Sequence, residues 1–212
     1  MQNKKVVLLS IIAILALFIG GTYFYKSSKA KEYQALVQKK KDSLQRPYSL
    51  VVGNSDAKVQ LVEFFDPACG TCAQFHPYVK NIMKENEGKI KLVLRYAPFH
   101  KNSDFAVRVL EASRKQDKFM QTLEILFATQ GYWTENHIVI PEKIWRVLPK
   151  AGLDMQMLAN DMKNDEITKI IKQDLFDAQE LGANKTPSYF VNGKPLEVFG
   201  LQELIDLINS QL

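Results

Sequence analysis

The chain has 212 residues, 46% of them hydrophobic, with two cysteines and a formal net charge of +5. Residues 1–48 carry nine Lys/Arg against two Asp/Glu, a net of +7, whereas residues 49–212 carry 19 against 21, a net of −2. The basic balance therefore belongs to the N-terminal segment, and the remainder shows no excess of cations for a phosphate backbone, which argues against a nucleic-acid-binding domain.

Val6 to Tyr25, "VVLLSIIAILALFIGGTYFY", is an uncharged run of 20, preceded by Lys4 and Lys5 and followed by Lys26, Lys29 and Lys31. A helix of this length rises about 30 Å, the thickness of a bilayer core. A cleaved signal peptide is the alternative, but its apolar region is usually shorter and ends at small residues. Here aromatics and then lysines follow, so an uncleaved anchor is expected. Lysines flank both ends, so charge does not set the orientation. The five-residue tail is the easier end to leave in the cytoplasm. The expected order is a cytoplasmic tail (1–5), a transmembrane anchor (6–25) and a basic linker (26–48) that includes "KKK" at 39–41. Residues 49–212 are long enough for one domain with its own core, and they show no internal repeat.

"KVQLVEFF" (58–65) is rich in β-branched and aromatic residues and reads as a strand, ended by Asp66-Pro67. Cys69 and Cys72 follow, then Phe75, Val79, Ile82 and Met83 at helical spacing, with Gly88 as the stop. "KIKLVLRYA" (89–97) is the next strand, so the unit is a βαβ crossover with parallel strands. A CxxC pair at the first turn of a helix points to redox chemistry. The unsatisfied N–H groups and the positive helix end stabilise a thiolate on Cys69, while Cys72, one turn on, is expected to be more buried and to act as the resolving thiol. A metal site would need further ligands; a Cys2His set with His76 is conceivable, as is an inert buried pair. His100 and His137 show no evident role. Glu63 shares a strand face with Val59, Leu61 and Phe65. It reads as a solvated strand end or as a buried acid beneath the cysteines, with a raised pKa suited to proton transfer with Cys72.

Helical patterns fill most of 102–181, beginning with the cap residues of "NSDFAVRVLEASRK" and ending at Gly182 after a stripe of Ile167, Ile170, Ile171, Ala178 and Leu181. "PSYFVNGKPLEVFG" holds the hairpin signal Asn192-Gly193, and "LQELIDLINSQL" closes the chain as a helix. The order is βαβ, a helical stretch, then ββα.

On "VEFFDPACGTC", Pro77 and "KTPSYFVNG", residues 49–212 resemble the DsbA-like thiol–disulfide oxidoreductases. The resemblance implies an α/β thioredoxin fold with an inserted helical domain at about 102–181. It implies a cis peptide at Pro187 facing the CxxC, and backbone groups of Thr186 offered to an extended substrate. Glu63 corresponds to the family's buried acid and Pro77 to the proline that kinks the active-site helix. Cys69, Cys72, Glu63, Thr186 and Pro187 are thus the candidate catalytic residues. Gly70-Thr71 differs from the Pro-His of strongly oxidising members and brings no imidazole or cation to Cys69, so the helix terminus is expected to do most of the stabilising.

The expected function is disulfide formation or exchange in extracytoplasmic proteins, with no cofactor and no metal required. Cysteine-containing proteins are the expected substrates, and a membrane redox partner resets the pair. An isomerase or reductase of the same fold is the nearer alternative; a membrane-tethered holdase is the alternative in another class. The apolar run at 6–25 generates a first test. After membrane fractionation and a salt wash, the chain should remain in the pellet, and protease added to spheroplasts should digest the domain. Release by salt, or protection inside the cell, contradicts the anchor and its orientation.

Overall fold

The computed structural model describes Asn3, Gly20–Tyr25, Ser28 and residues 38–212. The chain divides into two units, 1–42 and 43–212. The expected anchor at 6–25 lies outside the described residues except for its last six, Gly20–Tyr25, which are helical. Among the described residues no helix is long and apolar enough to cross a membrane.

The second unit is built on a five-stranded sheet. Its strands are β1 (Leu50–Gly53), β2 (Val59–Phe65), β3 (Ile90–Tyr96), β6 (Ser188–Val191) and β7 (Lys194–Pro195), in the order β1-β3-β2-β6-β7. β2 and β3 are parallel and are joined through helix α1 (Gly70–Glu85), while the other pairings are antiparallel. The βαβ and ββα expectations hold. The short β1, half-buried and only four residues long, is too brief to stand out by periodicity.

β2 is central because its residues are apolar on both faces. Val59, Leu61 and Phe65 join the cluster that contains both cysteines, while Val62 and Phe64 pack with Val93, Ala178 and Phe190 on the other face. The turn between β6 and β7 places Asn192 at φ 48 and Gly193 at φ 82. Two successive positive φ values are what a two-residue hairpin of matching twist requires. Pro195 lies in the edge strand, where its missing N–H is tolerated.

The insertion is mostly helical: α2 (Ser103–Arg114), α3 (Phe119–Ala128), α4 (Gln130–Trp133), α5 (Pro141–Val147), a 3₁₀ turn (Leu148–Ala151), α6 (Met155–Asp161) and α7 (Asp165–Leu181). It also contains a small two-stranded ribbon, β4 (Thr134–Glu135) with β5 (Ile138–Val139), that helical periodicity does not reveal. Trp133 is fully buried and donates to the Leu126 carbonyl at 2.9 Å. The expected capping at α2 is not formed. Asn102 adopts φ 63 and sends its amide to Val139 O at 3.3 Å, and the Ser103 hydroxyl turns inward to Asp66. The chain ends in α8 (Leu201–Asn209), packed through Leu204 and Ile208.

The buried side of α7 differs from the apolar stripe expected for it. Ile167, Ile171 and Ala178 are buried, but so are Asp174 and Asp177, whereas Ile170 and Leu181 are half-buried. The two carboxylates meet Arg95, which is fully buried in the middle of the sheet. The Arg95 guanidinium donates to Asp174 and Asp177 at 2.7 Å each and lies 5.3 Å from the Phe64 ring centroid. Arg46 adds a second cation to Asp177, the Tyr48 hydroxyl donates to Asp174 at 2.6 Å, and the Tyr96 N–H donates to Asp174 at 2.7 Å. The network ties residues 43–48 and α7 to the sheet. Removing one partner of a buried ion pair typically costs about 3–5 kcal/mol, because the others keep their burial without compensation. Arg95→Ala is therefore expected to destabilise the domain by an amount of that order in a denaturant titration; a midpoint equal to wild type contradicts this.

Candidate active site

β2 ends at Phe65, and the next four residues turn the chain into α1. The Asp66 carboxylate accepts the Ala68 N–H at 2.8 Å, and the Asp66 carbonyl accepts the Cys69 N–H at 2.9 Å. Cys69 becomes the N-cap of α1, in extended conformation at φ −80 and ψ 118. Gln130, from the insertion, donates to the carbonyls of Pro67 at 2.8 Å and Cys69 at 3.1 Å. The loop is held from both sides before any chemistry begins. Pro77 lies inside α1.

The two thiols differ as their positions require. Cys69 is 6% exposed and Cys72 is fully buried. The Cys69 pKa is lowered to about 5, first by a hydrogen bond with the Cys72 thiol, then by Thr186 and the backbone N–H groups of Cys72 and Thr71, against the opposing effect of burial. The helix terminus thus contributes, but the partner thiol leads. Burial, followed by the hydrogen bond with Cys69 and the negative charges of Glu63 and Cys69, pushes the Cys72 thiol well above its ordinary range.

Beneath the pair, Glu63 is 3% exposed and accepts a hydrogen bond from the Tyr189 hydroxyl at 3.1 Å. Burial raises its pKa to about 7, with the Tyr189 bond opposing. It is a buried acid, not a solvated strand end. The Thr186-Pro187 peptide is cis and brings the Thr186 carbonyl within 3.2 Å of Cys69 Sγ. Cys69, Cys72, Glu63, Thr186 and Pro187, drawn from three separate stretches of sequence, therefore converge. His76 does not join them as a ligand. It is buried against Phe127, ring centroids 5.2 Å apart, and burial lowers its pKa. Among the described residues no group of three His, Cys, Asp or Glu side chains is placed to share a metal ion.

Beside Cys69 opens a groove of about 470 Å³ that sequence reasoning missed. Its walls include Phe99, His100, His137, Lys185 and Thr186. Imidazoles reach this groove from the loop after β3 and from the turn between β4 and β5. His100 and His137 stack at 5.4 Å, and His100 Nδ1 lies 2.7 Å from the buried Asp66 carboxylate. The only available signal was Asp66 itself, a carboxylate at the end of an apolar strand.

Residues 45–209 match the sequence profile of the Thioredoxin family. The chain belongs to that family. A relative from Bacillus anthracis, named a probable disulfide bond formation protein D, is 29% identical over 91% of this chain and 89% of its own length. A thioredoxin-like oxidoreductase from Silicibacter pomeroyi has a solved structure that superposes with a TM-score of 0.69 at 31% identity, covering 80% of this chain and 95% of that one. Wolbachia pipientis α-DsbA1 shares the fold at 18% identity, with a TM-score of 0.70 over 82% of this chain and 94% of its own. The chain also matches a Na(+)/H(+) antiporter NhaA of Herminiimonas arsenicoxydans, 28% identical over 68% of this chain, but spans only 22% of that protein. The relatives and solved structures thus support a thioredoxin-like fold and thiol–disulfide oxidoreductase activity.

A lowered thiol pKa stabilises the reduced, folded form most above the unfolded cysteine value of about 8.5, and the gain is lost as pH falls through the folded value. Thiolate absorbance of the reduced chain should titrate with a midpoint near 5, and Cys72→Ala should raise that midpoint by removing the leading hydrogen bond. An ordinary midpoint for Cys69 in wild type contradicts the site.

Proposed function

We propose that this chain is a thiol–disulfide oxidoreductase, anchored in the cytoplasmic membrane by residues 6–25, whose domain faces the extracytoplasmic (periplasmic) side and donates its Cys69–Cys72 disulfide to substrate proteins. The observation that carries this reading is the pairing of a strongly acidified, groove-facing Cys69 with a buried Cys72 of raised pKa. The disulfide-formation relative supports the activity, and the uncharged run supports the anchor.

A substrate thiolate attacks Cys69 Sγ of the oxidised pair, and Cys72 leaves as a thiolate. Its high proton affinity makes it take up a proton, and Glu63, with a pKa near 7, is the acid below it. A second substrate thiolate then attacks the substrate sulfur of the mixed disulfide, and Cys69 leaves. Two electrons have passed from the substrate thiols to the enzyme pair. A low-pKa Cys69 is a good leaving group and stabilises the reduced enzyme, which favours donation of the disulfide. The Thr186 backbone lies beside the reacting sulfur, which supports a role in pairing with an extended substrate chain. No cofactor enters these steps. A membrane redox partner of dithiol-oxidising chemistry must restore the disulfide.

A Cys69 pKa of about 5 lies between those of thioredoxin, about 7, and DsbA, about 3.5. The reduction potential is accordingly expected between about −270 mV and −120 mV. Thr186→Val removes one of the interactions that acidify Cys69, so it should move the potential toward the reducing end. Equilibration in glutathione buffers followed by trapping with a mass-shifting maleimide measures both. A wild-type potential at or below that of thioredoxin would make the chain a tethered reductase, and insulin-disulfide exchange that survives cysteine alkylation would make the thiols incidental.

A further inference from the structure

The Asp66 carboxylate is fully buried and accepts from four donors. These are the Ala68 N–H at 2.8 Å, the His100 N–H at 2.9 Å, the Ser103 hydroxyl, and His100 Nδ1 at 2.7 Å. Because a carboxylate accepts, the His100 ring nitrogen facing it must carry the proton. The other nitrogen, Nε2, is then the basic atom of the neutral imidazole. The ring is half-buried and walls the groove that also holds Cys69, with the exposed His137 stacked upon it. A base oriented by a buried carboxylate, beside the sulfur that a substrate thiol must approach, has the arrangement found in activated-nucleophile sites.

We propose that His100 is a catalytic residue of the exchange reaction, the general base for the incoming substrate thiol, and that Asp66 is its positioning residue. The proposal rests on the oxidoreductase reading given above. In the step assigned to it, the substrate S–H bond breaks and its proton passes to His100 Nε2. The substrate sulfur bonds to Cys69 Sγ while the Cys69–Cys72 bond breaks, and the electron pair leaves on Cys72. His100 returns its proton to solvent before the next turnover. The step needs no oxidant beyond the enzyme's own disulfide. It explains why the histidine stands outside the CxxC. A cation between the cysteines would act on the enzyme's thiolate, whereas a base across the groove acts on the substrate's thiol. The titratable and charged groups around His100 are Asp66 at the end of β2, His137 before β5, Lys101 beside it in the chain, and Cys69 and Lys185 across the groove.

The test uses the full chain, oxidised at Cys69–Cys72, mixed with an excess of a two-cysteine peptide of ordinary thiol pKa. Reduction of the enzyme is followed by acid quench and mass spectrometry across pH. His100→Gln cannot accept the proton. Well below the peptide thiol pKa of about 8.5 its rate should fall by about tenfold or more. Above that pH, where the peptide is already a thiolate, it should match wild type within about twofold. Added imidazole should restore the low-pH rate of His100→Ala. Equal rates for wild type and His100→Gln at every pH overturn the proposal. So does an equal loss at every pH that imidazole does not rescue, since that is a structural role. In both cases exchange by wild type leaves the oxidoreductase reading standing; absence of exchange by wild type at any pH overturns both.

Discussion

A buried carboxylate imposes a demand: donors must be delivered to it, or it must stay neutral. Asp66 meets the demand with donors from the loop that follows it and from residues 34 and 37 positions later, His100 and Ser103. Those bonds hold the turn that makes Cys69 an N-cap, orient the start of α2, and set the ring that walls the groove. The catalytic loop and the insertion are therefore joined at one side chain. Gln130 reinforces the joint by capping two carbonyls of the same loop.

The sheet carries buried charge on its other face as well, with an opposite outcome. Asp174 and Asp177 are matched by Arg95, Arg46, the Tyr48 hydroxyl and a backbone N–H. The attraction holds the Asp177 pKa below its ordinary value despite burial. Glu63 receives a hydrogen bond from Tyr189, and its pKa rises to about 7. Burial alone does not separate the two cases; the presence of a cation does. The matched carboxylates brace the fold, and the unmatched one keeps a proton available beneath Cys72 near neutral pH.

The two cysteines share this logic of unequal environments. Burial leads in raising the Cys72 pKa, and the hydrogen bond between the thiols adds to it while lowering that of Cys69, because one thiol donates to the other. In the proposed donation such opposed proton affinities give the pair a direction: the acidified sulfur is the better leaving group, and the buried one takes up a proton once the mixed disulfide forms.

Local chemistry made much of this legible from the amino-acid order. The β-branched and aromatic content of Val59–Phe65, the CxxC at a helix start, and Asn192-Gly193 at a hairpin each act within a few residues, and each folded as read. Glu63 announced itself as a charge on an apolar face, and the cis Thr186-Pro187 peptide followed from the family resemblance. Asp66 read only as a strand terminator, His100 and His137 showed no evident role, and Asp174 and Asp177 stood outside the apolar stripe read for their helix. Their meaning depends on partners distant in sequence, 34 residues from Asp66 to His100 and 82 from Arg95 to Asp177. Periodicity reports which face of an element is buried, not which polar group will be waiting there. That pairing was decided only when the insertion closed over the end of β2 and α7 lay across the sheet.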